Sequence, residues 1–151
     1  MTVDIDLLAI YLHLAWAAAR RRRPLVRDRL LVLAGVVAIR LDLPEVAAYC
    51  RQKILEHNPA HLVRRWPSLE AALQHADFQS LLQRIGRRYP RERAEQMIDS
   101  LGLVRGRERD TYQGDLEYAA ALLETNVDQL RHALRRQSNH PDNPDNPANT
   151  P

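Results

Sequence analysis

Apolar residues recur along most of this chain at intervals of three and four, and no run of β-branched residues alternates with polar ones, so the pattern predicts helices and no sheet. The strongest signal comes first: LLAIYLHLAWAAA, Leu7 to Ala19, is almost wholly apolar, with Asp4 and Asp6 ahead of it and Arg20 to Arg23 behind. Acids in the first turn and arginines in the last suit the helix macrodipole, which gives a helix over about residues 3–22, apolar nearly all round and therefore a core element. Pro24 closes it, because proline has no N–H to donate and disfavours helical geometry in the residue before it. LLVLAGVVAI centres a second helix, about 26–41, antiparallel to the first, in which Gly35 lowers helix propensity but admits a close neighbour. Pro44 and Glu45 open a third, with Val46, Ala47, Cys50 and Ile54 on one face, and Asn58-Pro59 stops it.

Two similar stretches follow, Arg64-Arg65-Trp66-Pro67 and Arg87-Arg88-Tyr89-Pro90. Each proline stands where a helix begins, with an acid in its first turn, Glu70 or Glu92. Arg87 and Arg88 then fall in the last turn of a helix running from about residue 68, inner side Leu69, Leu73, Phe78, Leu81, Leu82 and Ile85, with a bend near His75 to Asp77. The rings of Trp66 and Tyr89 are expected to fold over helix junctions as hydrophobic staples do. The competing reading is an exposed surface for stacking bases beside arginines. Arg64, Arg65, Trp66, Arg87, Arg88 and Tyr89 are thus the candidate interaction surface. Beyond them, RERAEQMIDSL forms a helix ending at a left-handed Gly102 with Leu103 as its clasp, and Leu103 to Gln113 is the main loop. A helix from Asp115 and a last segment capped by Asn126 complete the pattern.

Leu31, Gly35, Ala47 and Pro59, together with the stretch ILEHNPAHL, fall at the spacing of signature positions in a tetratricopeptide repeat, which residues 28–61 therefore resemble over one repeat length. Arg51 and Ile54 stand where that pattern prefers an aromatic and an alanine, and no second copy follows in register. The resemblance implies a right-handed helical hairpin and a bias towards binding proteins.

Composition changes this picture little. Of 22 basic residues only Lys53 is lysine, a bias that reads as GC-rich bacterial coding rather than as a binding code. The tail SNHPDNPDNPANTP carries two acids and no base, so residues 1–137 are two units more positive than the +3 of the whole chain, a moderate charge that does not require a polyanion partner. Cys50 is the lone cysteine, which excludes an internal disulfide and a multi-cysteine zinc site and fits a reducing compartment. Its place on an apolar face reads as a small core residue. The apolar run from Ile5 to Ala19 spans roughly 22 Å as a helix, short of a hydrocarbon core of roughly 30 Å. Its positive charge follows rather than precedes it, unlike a signal peptide.

Chemistry is sparse: no phosphate loop, nucleophile elbow or paired-cysteine motif occurs. Glu56, His57 and His61 are the best metal candidates, but Asn58-Pro59 breaks the helix between the histidines, so no metal site is expected. Asp99, Asp110, Asp115, Glu117 and His132 serve acid–base chemistry only if the fold gathers them. The sequence therefore predicts an all-α protein, six to seven helices packed as antiparallel hairpins in one compact domain over 1–137, with a disordered Asn/Asp/Pro tail at 138–151. It reads as a non-catalytic cytoplasmic interaction or scaffold module without cofactor or metal, its partner another protein. Nucleic acid is the alternative partner, a membrane anchor through the first helix the next, and no membrane partner is expected.

Overall fold

The computed structural model describes residues 3–102 and 108–139. Helix α1 (Ile5–Arg20) starts at Asp4, whose carboxylate accepts the Leu7 amide hydrogen at 2.9 Å. Its apolar circumference is used: Leu7, Leu8, Ile10, Tyr11, Leu12, Leu14, Ala15 and Ala18 are all buried. Helices α2 (Pro24–Arg40) and α3 (Pro44–His57) each carry proline in the first turn, where a missing N–H is lost to no helical partner. Pro24 thus both closes the first helix and opens the second.

Short connections make α1, α2 and α3 successive antiparallel neighbours, and both turns use one device. After α1, Arg22 takes φ 55°, its amide donating to the Ala19 carbonyl at 3.1 Å and that of Arg23 to Ala18 at 2.9 Å. After α2, Asp42 takes φ 58°, with amides of Asp42 and Leu43 donating to Ile39 at 3.1 Å and Ala38 at 2.8 Å. This is the Schellman arrangement, which glycine usually serves.

Helix α2 then meets the next two elements. A Cβ on Gly35 would run into Leu69 Cδ1, with Cys50 Cβ at 3.6 Å and the Ala47 Cα at 3.9 Å. Gly35 thus lets α4 (Leu69–Ala72), capped by Ser68 on the Ala71 amide, dock on the seam between α2 and α3. The expected single bent helix is two. Past Leu73, whose dihedrals are still helical, the chain turns extended at His75, and α5 (Ala76–Arg88) begins, with Gln79 Nε2 donating to the freed Leu73 carbonyl at 2.7 Å. Helix α6 (Arg91–Ser100) lies against α1 and ends at Gly102, φ 72°, the left-handed cap expected there; Leu103 lies outside the described residues.

Helix α7 (Asp115–Leu122) rests on α1 and α3, and α8 (Val127–Ser138), capped by Asn126 on the Gln129 amide, rests on α3. A third Schellman turn joins them, with Glu124 at φ 56° and the Thr125 amide donating to Ala120 at 2.9 Å. The described residues therefore form an all-α domain of eight helices around a single hydrophobic core and contain no strand. Eight replaces the expected six or seven because of the break between α4 and α5. Most of the tail, from residue 140, lies outside the described residues.

Candidate functional site

Both arginine–aromatic motifs put their rings inside and their arginines outside. Trp66 is 6% exposed, its ring 5.3 Å from that of His75 and 5.8 Å edge-on from Phe78, while Arg65 lies over it at 5.1 Å. Its carbonyl accepts from Arg51 Nη2 at 2.8 Å, which ties the junction to α3. Arg65 also pairs with Asp77 at 2.9 Å, and Arg64 is exposed. Tyr89 is 8% exposed, and its carbonyl accepts the Tyr11 hydroxyl hydrogen at 2.7 Å; Arg87 and Arg88 are exposed in the last turn of α5. The two rings stand at opposite ends of α5, roughly 20 Å apart along a helix of this length. They do not combine into one patch.

The acid–base candidates do not assemble a centre either. Asp115 is engaged with Arg109 at 2.6 Å, Glu117 accepts the Gln113 amide hydrogen at 3.4 Å, and His132, Asp99 and Asp110 are exposed. Among the described residues no three His, Cys, Asp or Glu side chains gather as a metal-binding group. Cys50 is fully enclosed, and burial pushes its thiol up to about 12, only partly opposed by the charge of Arg27. Such a thiol is not a nucleophile near neutral pH.

One part-buried polar pair escaped the sequence reading. Asp28 is 2% exposed, and its Oδ2 lies 2.7 Å from His57 Nδ1, which donates when that nitrogen carries the proton. Oδ1 is 3.9 Å from Arg27 Nη1 and, among the described residues, has no hydrogen-bond partner. Asp28 lies three residues before Leu31 and seven before Gly35, on the buried stripe of α2, and that spacing was the available signal. The pair joins α2 to the end of α3, so its geometry fastens a hairpin.

The recess that does open at this end of the bundle is formed by α1, α2, α3 and the end of α7, with a volume of about 280 Å³. Leu12, Ala15, Leu31 and Leu122 give it an apolar floor, and Trp16, Tyr49, Lys53, Arg27 and Glu124 stand around it. Trp16 Nε1 donates to Glu124 Oε1 at 2.6 Å, and Arg20 lies over the Trp16 ring at 5.0 Å. Lys53 lies 5.2 Å from the Tyr49 ring centre and 3.2 Å from Glu56. Burial draws its ammonium down, but Glu56 and Tyr49 outweigh that and raise it, so it remains a cation. Trp16 precedes Arg20 by four residues, which places it on the arginine side of α1, a helical neighbour relation that was readable from sequence. No helix among the described residues is long and apolar enough to cross a membrane, and the apolar residues of α1 are occupied in the core. Compared with protein-family models, with curated proteins and with solved structures, the chain matches none.

Proposed function

We propose that this protein is a non-catalytic interaction module that receives a segment of a partner protein in the recess between α1, α2, α3 and α7. The observation that carries the proposal is the lining: an apolar floor with Trp16 and Tyr49 at its walls and the cations Arg27 and Lys53 beside them. Aromatic and arginine side chains around an apolar centre are what protein-binding surfaces concentrate. At about 280 Å³ the recess falls just below the roughly 300–1,000 Å³ of small-molecule sites and suits side chains of a peptide. Arg27 and Lys53 each have an acid beside them, Asp28 at 3.9 Å and Glu56 at 3.2 Å, but both line the recess where those acids do not, so they favour a segment that places a carboxylate beside a leucine or phenylalanine. The resemblance of residues 28–61 to a tetratricopeptide hairpin points to the same class of partner. Burial of Trp66 and Tyr89 weighs against the nucleic-acid reading, because neither ring is presented for base stacking.

Selection of the full chain against a displayed random-peptide library tests this. Enriched peptides carry an acidic residue next to a large apolar one, and Lys53→Glu abolishes their binding while lowering the thermal midpoint only slightly, because the contacts it loses with Glu56 and Tyr49 are partly exposed. Enrichment of basic peptides, no enrichment, or binding indifferent to Lys53→Glu rejects the proposal.

A further inference from the structure

Residues 19–25 are exposed without interruption, and they hold Arg20, Arg21, Arg22 and Arg23 in succession at the turn between α1 and α2. Among the described residues the large hydrophobics left in solvent are Trp16, 36% exposed, and Leu25, 63% exposed, and they flank this run on either side. No acidic partner engages Arg20, Arg21, Arg22, Arg23 or Arg29 among the described residues, and Arg20 lies over the Trp16 ring. A shallow depression carries the basic surface from Arg21 to Arg93 on α6. Exposed arginines also stand elsewhere, at Arg64, Arg87 and Arg88, but among the described residues the exposed large hydrophobics are at this turn, so free cations and free apolar area coincide here.

We infer that the α1–α2 turn docks the protein onto an anionic phospholipid surface, with the arginines meeting lipid phosphates and Leu25 entering the headgroup boundary. A convex turn needs no matching cavity in a bilayer, whereas a protein partner would need a pocket to cover Leu25. A nucleic-acid backbone offers Leu25 no apolar cover, and the Trp16 face is already taken by Arg20. Guanidinium groups are drawn to the negative surface and an adjacent apolar residue anchors them there. Helix α1 stays in the core throughout, so this route differs from the apolar-helix anchor considered from sequence, and it departs from the expectation of no membrane partner. What hid it is Leu25, which stands just ahead of the second helix as expected from residue 26 and is left in solvent in the first turn of α2.

Co-sedimentation of the full chain with phosphatidylcholine vesicles, with and without one-quarter phosphatidylserine, tests the inference. The protein sediments with the anionic vesicles, less so as salt rises, and stays in solution with the neutral ones. One surface arginine changes the partition roughly fivefold, so Arg21→Glu with Arg23→Glu lowers it at least about a hundredfold. Leu25→Ser lowers it about tenfold. Arg22→Gly weakens binding while raising the thermal midpoint, because it removes a charge and a left-handed non-glycine residue together, which separates docking from folding. Lys53→Glu leaves the partition within about twofold, so this site and the peptide recess can fail independently. Absence of sedimentation with anionic vesicles, equal binding to neutral ones, indifference to Arg21→Glu with Arg23→Glu, or tighter binding of an RNA through the same arginines overturns it.

Discussion

The Tyr11 hydroxyl donates to the backbone carbonyl of Tyr89 at 2.7 Å, fastening the first helix to a residue 78 positions later. Burial pushes the Tyr11 phenol up, with Arg91 opposing, so it keeps its proton and remains a donor at ordinary pH. Tyr11→Phe leaves a buried carbonyl without that donor and is expected to cost about 1–2 kcal/mol, read as a lower urea midpoint with the slope unchanged.

The three left-handed residues that are not glycine among the described residues, Arg22, Asp42 and Glu124, give a second test. Glycine takes this conformation without the steric penalty of a side chain, whereas aspartate tolerates it better than arginine. Arg22→Gly therefore raises stability by about 1 kcal/mol or less, and Asp42→Gly by less again. Glu124→Gly also loses the bond from Trp16 and is expected near zero. Thermal midpoints in the order Arg22→Gly, Asp42→Gly, Glu124→Gly check the argument.

Where local chemistry governs the chain, the sequence was legible. Pro44 opened a helix, Asn126 capped one and Gly102 ended another, each acting within a few residues of itself, whereas Pro24, read as closing the first helix, also opens the second. The break at 73–75 was read only as a bend, because Gln74 and His75 carry no breaker signal and the contact of His75 with Trp66 is tertiary. Asp28, between two arginines, looks solvated until His57 arrives from the neighbouring helix. The recess needs four helices brought together, and no single stretch announces it.

Gly35 faces Leu69 across the seam of α2 and α3. Alanine there gains about 1 kcal/mol of helix propensity but meets the Leu69 methyl, and overpacking of a filled core costs about 1–3 kcal/mol. Gly35→Ala is expected to destabilise modestly and Leu69→Ala strongly, with the double variant less damaged than the two losses added. Full additivity in a double-mutant cycle would mean that the two positions do not touch.

Burial lowers the pKa of His61, with the charge of Asp28 working against it, and its Nδ1 accepts the Val63 amide hydrogen at 3.1 Å. A folded state that holds this ring neutral binds fewer protons than the unfolded chain. The stability it contributes is complete above the unfolded value of about 6.5 and is lost as pH falls from there towards the lower folded value. His61→Asn keeps an acceptor for the Val63 amide and removes the titration, so its unfolding free energy should fall less between pH 7 and 5 than that of the parent. Equal slopes would assign the acid loss to other groups.

The central claim is that the arginine–aromatic motifs hold the core together while contact with partners is made at the other surfaces. Trp66 carries the sharper test, because its indole is nearly enclosed and touches both His75 and Phe78. Equilibrium urea unfolding of Trp66→Ala, followed by far-ultraviolet circular dichroism, should show a loss of about 3–5 kcal/mol from lost burial and the cavity left behind, with helix content retained below the transition. Unfolding at the parent urea concentration would contradict the account and make Trp66 a contact residue.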